Sequence, residues 1–302
     1  MKHRSSLLDN ERMIAFLFLA PALIYMLVLC VYPIIYNVVM GFQNMSMMNL
    51  RSKSYTFVGL KNYIDLFNHR TGVFQRSILN TFRYTVFSIL FQFIFGFAAA
   101  LLFAKSFPGT GPMRALMMLA WLLPHTVTGL LGKYMFATEG IINVFLSKIG
   151  LLQGNIGWLV EKEHALNCAI LVNIWIGIPY NMMLLTTGLI NIPREIYESA
   201  SVDGANSWQR FIHMTLPMMK PTMMVVLVLG FINTFKVFDL IYVLTGGGPV
   251  QSSEVLSSVA YRYSFTSGNF SQGAAAANVL FLILLVVGFF YLRFVKTDTE
   301  VM

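Results

Sequence analysis

Charge is what this sequence has least of. Asp, Glu, Lys and Arg make up 11% of its 302 residues, against about 25% in an ordinary soluble domain. Apolar residues, 57% of the chain, are spread along its whole length, which excludes a soluble domain carrying one anchor. Cysteine is almost missing. Cys30 and Cys168 each sit in an apolar segment, so neither a disulfide framework nor a cysteine metal site is indicated. The five histidines are scattered, and no His/Cys/Asp group gathers as the acid–base or metal constellation of a membrane enzyme would require. A phosphate-binding G-x-x-x-x-G-K-[ST] loop is also lacking: Gly132-Lys133 is followed by Tyr134 and has no upstream glycine in register. Low-complexity segments and solenoid repeats are absent as well.

The formal net charge is +8 with a pI near 9.5, yet there is no basic run. Scattered Lys and Arg read as residues flanking membrane spans and facing anionic lipid, not as a nucleic-acid surface. Nineteen methionines, some paired as Met117-Met118 and Met223-Met224, suit adaptable packing rather than a copper path. Lys2, Arg4 and Arg12 precede an apolar run from Met13 to Met40. That run is far longer than the ~7–15 residues of a signal-peptide core and no small-residue cleavage site follows, so it reads as a retained first helix.

Apolar length predicts six spans, at 13–40, 79–104, 114–136, 166–190, 219–244 and 273–295. Backbone groups in lipid must be satisfied within the segment, and barrel-type alternation is missing, so the expected fold is an all-α polytopic transmembrane bundle. Residues 1–12 become a cytoplasmic N-terminus, 13–296 a transmembrane domain, and 297–302 a cytoplasmic tail. Of the long connections, 41–78 is polar, 137–165 reads as one or two interfacial helices, and 191–218 carries the clearest motif. Lys and Arg divide almost evenly between the two sets of connections. The three basic residues before Met13, and Lys105 with Arg114 around the tightest turn, favour both termini inside.

The segment Asn191 to Pro217 reads as helix–turn–helix. Asn191 is a candidate N-cap and Pro193 suits a first turn. Glu195 and Glu198 sit near the positive helix end. Gly204 can end the helix in the left-handed conformation. Ser207 can start a second helix, which Pro217 stops. A short helix with small residues at its tip can seat in a partner's groove; an ordinary amphipathic interfacial loop has the same shape.

The residues themselves are more specific. Glu198, Ala200, Gly204, Leu216 and Pro217 fall in the register Glu-Ala-Ala, three residues, Gly, nine residues, Ile, one residue, Leu-Pro, with Ser199 for the middle Ala and Met214 for Ile. This resembles the EAA signature of binding-protein-dependent permeases of ATP-driven (ABC, type I) importers. Gly140-Ile-Ile-Asn143, Trp158-Leu159, Ile192-Pro193, and Phe238-Asp239 through Thr245-Gly-Gly-Gly-Pro249 resemble the maltose and glycerol-3-phosphate permease branch, and the likeness covers roughly 13–296. It implies a bacterial cell-membrane permease subunit for a sugar or oligosaccharide. It also implies that Glu198, Ser199, Ala200, Asp203, Gly204 and Ala205 dock on a separate ATPase. The implied partners are a second homologous permease subunit, two ATPase subunits and an extracytoplasmic solute-binding protein. ATP and Mg would be bound by the ATPase, and this chain would hold no cofactor and catalyse no reaction.

Polar groups at membrane depth are costly and tend to face a pathway or partner. Asn233, Lys236 and Asp239, spaced by three, would share one helix face, where Lys236 and Asp239 could pair. Such a pair either lines a polar wall or only neutralises itself in packing. In the fourth span Asn173, Trp175, Tyr180 and Asn181 surround Pro179, which frees a backbone carbonyl. Aligned through its motifs, the family resemblance puts Asn173, Gly177, Tyr180, Gly230, Asn233, Thr234 and Val237, beside Lys236, at substrate-holding positions. His125 is a packing residue or a proton relay, and Arg83 near a span end snorkels. The competing function is an ion-coupled secondary transporter of a small polar solute, using His125 with a Lys236–Asp239 pair.

Overall fold

The computed structural model describes residues 11–105 and 107–299, so the start of the predicted N-terminal segment and the end of the tail lie outside the described residues. Among these there is no strand, only an isolated antiparallel bridge between Gln43 and Phe57. The helices are α1 (Met13–Met40), α2 (Met47–Leu50), α3 (Lys61–Asn68), α4 (Val73–Phe103), α5 (Thr110–Leu122), α6 (His125–Met135), α7 (Ile141–Lys148), α8 (Ala165–Ile190), α9 (Arg194–Val202), α10 (Ser207–Phe235), α11 (Asp239–Leu244), α12 (Leu256–Tyr261) and α13 (Phe270–Thr299). Five are long and apolar enough to cross a membrane: α1, α4, α8, α10 and α13; α5 with α6 makes a sixth if the bent pair counts as one span.

That pair corrects the sequence reading. Residues 114–136 are not one straight helix, because α5 and α6 meet at 93°. The cause is Pro124. A proline disfavours the helical conformation in the residue before it, and Leu123 is extended, with ψ 134°. The fifth span also differs. The helix begins at Ser207, well before 219, and stops at Phe235. Pro217 does not end a helix; it sits in a first turn after a π turn at Phe211–Thr215, where its missing N–H costs little. The stop at Phe235 has no Pro or Gly behind it. Lys236 has φ −92° and ψ 6°, and Phe238 has φ −130° and ψ −57°. Ser257 donates its hydroxyl to the Val237 carbonyl, satisfying an acceptor that a continuing helix would have used.

Two compact units emerge: residues up to Leu66 with Ala260–Asn278, and Phe67–Val259 with Val279 onward. In the first, Asn278 ties the end of α1 to α3. Its amide donates to Tyr63 Oη at 2.9 Å and to the Val38 carbonyl at 3.3 Å, and it accepts from Asn37 Nδ2 at 2.8 Å. Gly41 permits this, since a Cβ there would lie 2.5 Å from Asn278 Nδ2.

In the second unit α8 packs along α4. Gly96 sets the approach, because a Cβ at that position would lie 2.6 Å from Asn181 Cβ. Tyr84, Leu166, Ala169, Val172 and Ile176 form one buried cluster with Leu240, Ile241 and Leu244 of α11. A second, with Phe97, Met182, Leu185, Met219 and Val226, joins α4, α8 and α10. The loop 137–165 holds one helix, α7. Asn143 serves as its hub, donating to the Thr138 and Ile156 carbonyls and accepting from Trp158 Nε1 at 2.7 Å.

Candidate functional site

The second unit contains a cavity of about 420 Å³. From α8 it receives Asn173, Ile176, Gly177, Tyr180 and Asn181, residues three or four apart and therefore on one face. From α10 and the break after it come Gly230, Asn233, Thr234, Lys236 and Val237. All eight positions singled out in the sequence as substrate-holding therefore line one space. The cavity also takes in Gln92 of α4, Trp121 of α5, His125 of α6 and Asp239 of α11.

Close backbone approaches build this wall. Gly177 faces Gln92, and an added Cβ would sit 2.2 Å from Gln92 Cδ. The space lets the Gln92 amide reach the Asn173 carbonyl at 2.8 Å. Asn181 turns its amide back to the Gly177 carbonyl at 2.8 Å. Asn173 is left different. Its side chain is only 6% exposed, yet Nδ2 has no protein partner. A buried donor without a partner is costly. Trp121 and Tyr180 stack, with ring centroids 5.6 Å apart and planes 21° from parallel. Gly230 is not forced by packing; a Cβ there would meet only Ile89, at 3.8 Å.

The charges differ from the sequence reading. Because α10 stops at Phe235, Asn233, Lys236 and Asp239 do not share a helix face, and Lys236 and Asp239 do not pair. Asp239 Oδ2 instead lies 3.5 Å from His125 Nδ1. The glycines of α6 bring these two together. A Cβ at Gly129 would lie 3.1 Å from Val243 Cβ, and one at Gly132 3.1 Å from Leu244 Cδ1, so α6 lies close on α11. Trp175 does not reach the cavity. It lines a separate apolar hollow with Leu116 and Pro179. Arg83 donates to Asn167 Oδ1 at 2.9 Å rather than only reaching for the interface.

Gln92 and Trp121 were missed in the sequence. Gln92 could have been found as a lone amide between Phe91 and Phe93 in a long apolar run. Trp121 carries no such signal, because its place depends on the bend at Pro124.

The segment 191–218 is helix, turn and helix, with changed ends. Asn191 caps the end of α8, and Pro193, not Asn191, occupies the N-cap of α9. Gly204 has φ +80° after the last turn, the left-handed conformation that glycine takes without strain. A Cβ there would meet nothing within 4 Å, so the turn stands clear of the rest of the chain. Asn206 and Gln209 form a reciprocal capping box that starts α10. Glu198, Ser199, Asp203 and Gly204 are exposed, Ala205 is half-buried, and Ala200 is buried. Ala200 therefore lies inside the turn rather than on its surface, and its carbonyl accepts from the Ala205 N–H at 2.9 Å. Val202, 88% exposed, and Trp208, 68% exposed, stand as apolar groups beside the turn.

Residues 74–297 match the family model described as "Binding-protein-dependent transport system inner membrane component". The chain belongs to this family. Among its relatives, the probable ABC transporter permease protein YurN of Bacillus subtilis is 35% identical over 298 residues, covering 97% of this chain and 100% of that one. The sulfoquinovosyl glycerol transport system permease protein SmoG of Agrobacterium fabrum is 32% identical, covering 95% and 92%. A solved bacterial ABC transporter involved in import of the acidic polysaccharide alginate matches with a TM-score of 0.78 at 25% identity, over 94% of this chain and 97% of that one. The fold is that of an ABC importer permease, and the family is membrane-embedded.

Proposed function

We propose that this chain is the transmembrane permease subunit of an ATP-driven importer that carries a sugar or oligosaccharide across a bacterial cell membrane, with both termini inside. The observation that carries the carbohydrate reading is the cavity. A stacked Trp121–Tyr180 pair in a cavity lined by Gln92, Asn173, Asn181, Asn233 and Thr234 suits a ligand with apolar C–H faces and a belt of hydroxyls. The named substrates of two relatives, sulfoquinovosyl glycerol and alginate, are carbohydrates.

In this reading the exposed turn around Gly204, with Glu198, Ser199, Asp203 and Ala205, seats in a groove of a separate ATPase. The chain hydrolyses nothing; two ATPase subunits bind ATP and Mg. A second homologous permease subunit completes the pathway, and an extracytoplasmic solute-binding protein delivers the sugar. A solved relative, the alginate transporter, is described in complex with a pentasaccharide-bound periplasmic protein. The His125–Asp239 pair is the observation that favours the second reading, proton-coupled secondary transport.

Purification of the tagged chain from native membranes, in a detergent that preserves complexes, tests the assembly. The expected co-purifying proteins are a second polytopic permease and an ATPase with a phosphate-binding loop. Recovery of the chain alone would shift the reading to secondary transport.

A further inference from the structure

We infer that the imported saccharide is anionic, and that Lys236 receives its carboxylate in the cavity of the second unit. The inference rests on the carbohydrate reading and adds the sign of the charge. In the sequence, the spacing of Lys236 and Asp239 offers a self-neutralising pair, which would leave no cation for a substrate. The structure removes that pair. Helix α10 breaks at Lys236, and Asp239 is engaged by His125 at 3.5 Å. Lys236 lines the cavity, is exposed to it, and forms no ion pair among the described residues.

An ammonium that lines a cavity at the end of an apolar span and forms no ion pair is costly and rarely kept without a use. Here it borders a space large enough for a sugar and lies next to Val237, whose buried backbone fixes the break. The lining also includes the Asp239 carboxylate, which faces His125 at 3.5 Å, alongside the amides of Gln92, Asn173, Asn181 and Asn233. Gln92 and Asn181 each use one amide N–H on a backbone carbonyl, and Asn173 Nδ2, which is buried, has no protein partner. A carboxylate accepts only, so an ammonium and the remaining amide N–H groups of the lining are its right partners. The Trp121–Tyr180 stack takes the ring's apolar face. A neutral sugar would fill the same volume but leave the Lys236 charge unanswered.

The test compares uptake by cells carrying the intact importer with cells lacking this chain. Both are given a partial hydrolysate of mixed starch, cellulose, pectin and alginate, which presents neutral and acidic oligosaccharides together, and the medium is followed by mass spectrometry. The expected result is depletion of uronate-bearing species by the complete strain only, with neutral species of equal length spared. At matched membrane abundance, Lys236→Gln should lower the initial rate by about tenfold to a hundredfold, the span set by losing one charged hydrogen bond, and Lys236→Arg should retain most of it. Depletion of neutral species with acidic ones spared, or a Lys236→Gln rate equal to wild type, would overturn the charge assignment and leave the carbohydrate reading standing. Depletion of no saccharide would overturn the carbohydrate reading itself.

Discussion

His125 Nδ1 lies 3.5 Å from Asp239 Oδ2, and each residue opens its own helix, α6 and α11. This contact marks the junction, but the glycine face of α6 makes it. A Cβ at Gly132 would come within 2.9 Å of Val172 Cγ2 and 3.1 Å of Leu244 Cδ1. Both side chains are roughly half exposed, and even a charged pair so exposed contributes at most about 1 kcal/mol. Asp239→Asn should therefore lower stability by less than about 1 kcal/mol, while Gly132→Leu should cost about 1–3 kcal/mol by overpacking. Thermal unfolding of the two purified variants compares them directly. A loss in Asp239→Asn as large as in Gly132→Leu would show that the His125–Asp239 contact holds α6 on α11 as strongly as the packing does.

Gly177 keeps Gln92 on the Asn173 carbonyl, since an added Cβ would overlap the amide at 2.2 Å from Cδ. Gly177→Ala should displace Gln92, cost about 1–3 kcal/mol, and reduce uptake sharply. Shortening the obstacle in Gly177→Ala/Gln92→Ala should recover stability relative to the single variant. A double variant less stable than Gly177→Ala alone would contradict the account.

Gly204 combines a φ of +80° with open space around it. Valine there should cost about 1–2 kcal/mol in backbone strain, whereas asparagine tolerates the conformation. Both should reach the membrane, and both should fail to retain the ATPase on purification, because both add bulk at the seat. A Gly204→Asn variant that holds the ATPase and transports normally would assign the glycine to its turn alone.

Asn143 answers three polar groups at once, the Thr138 and Ile156 carbonyls and the Trp158 indole N–H. Asn143→Ala should cost roughly 1–3 kcal/mol by stranding buried partners. Uptake per folded molecule should stay near wild type, measured as initial rate against membrane abundance. Loss of uptake without loss of stability would place this hub in the transport path.

Helices and their apolar faces were legible in the sequence because lipid imposes a length and forbids unsatisfied backbone. Their interruptions were less so. Pro124 was visible, but a single proline inside an apolar run does not say whether a helix bends or breaks, and here it produces a 93° turn. The stop at Phe235 has no local signal at all, since it is stabilised by Ser257, some twenty residues downstream. For that reason Lys236 and Asp239 were expected on one face. Asn173, Gly177 and Asn233 could be named from the family motifs, and they do line one cavity. Gln92, Trp121 and the engagement of Asp239 by His125 depend on which helices pack together, which spacing along one helix cannot reveal.

The source of energy separates the proposed importer from its alternative most directly. Membrane vesicles carrying the whole complex, supplied with the solute-binding protein and the solute it delivers, can be loaded with ATP while an uncoupler collapses the proton gradient. The account predicts that uptake continues under the uncoupler and stops when internal ATP is replaced by a non-hydrolysable analogue. Uptake that persists without hydrolysable ATP and falls with the proton gradient would contradict it, and would establish the proton-coupled reading.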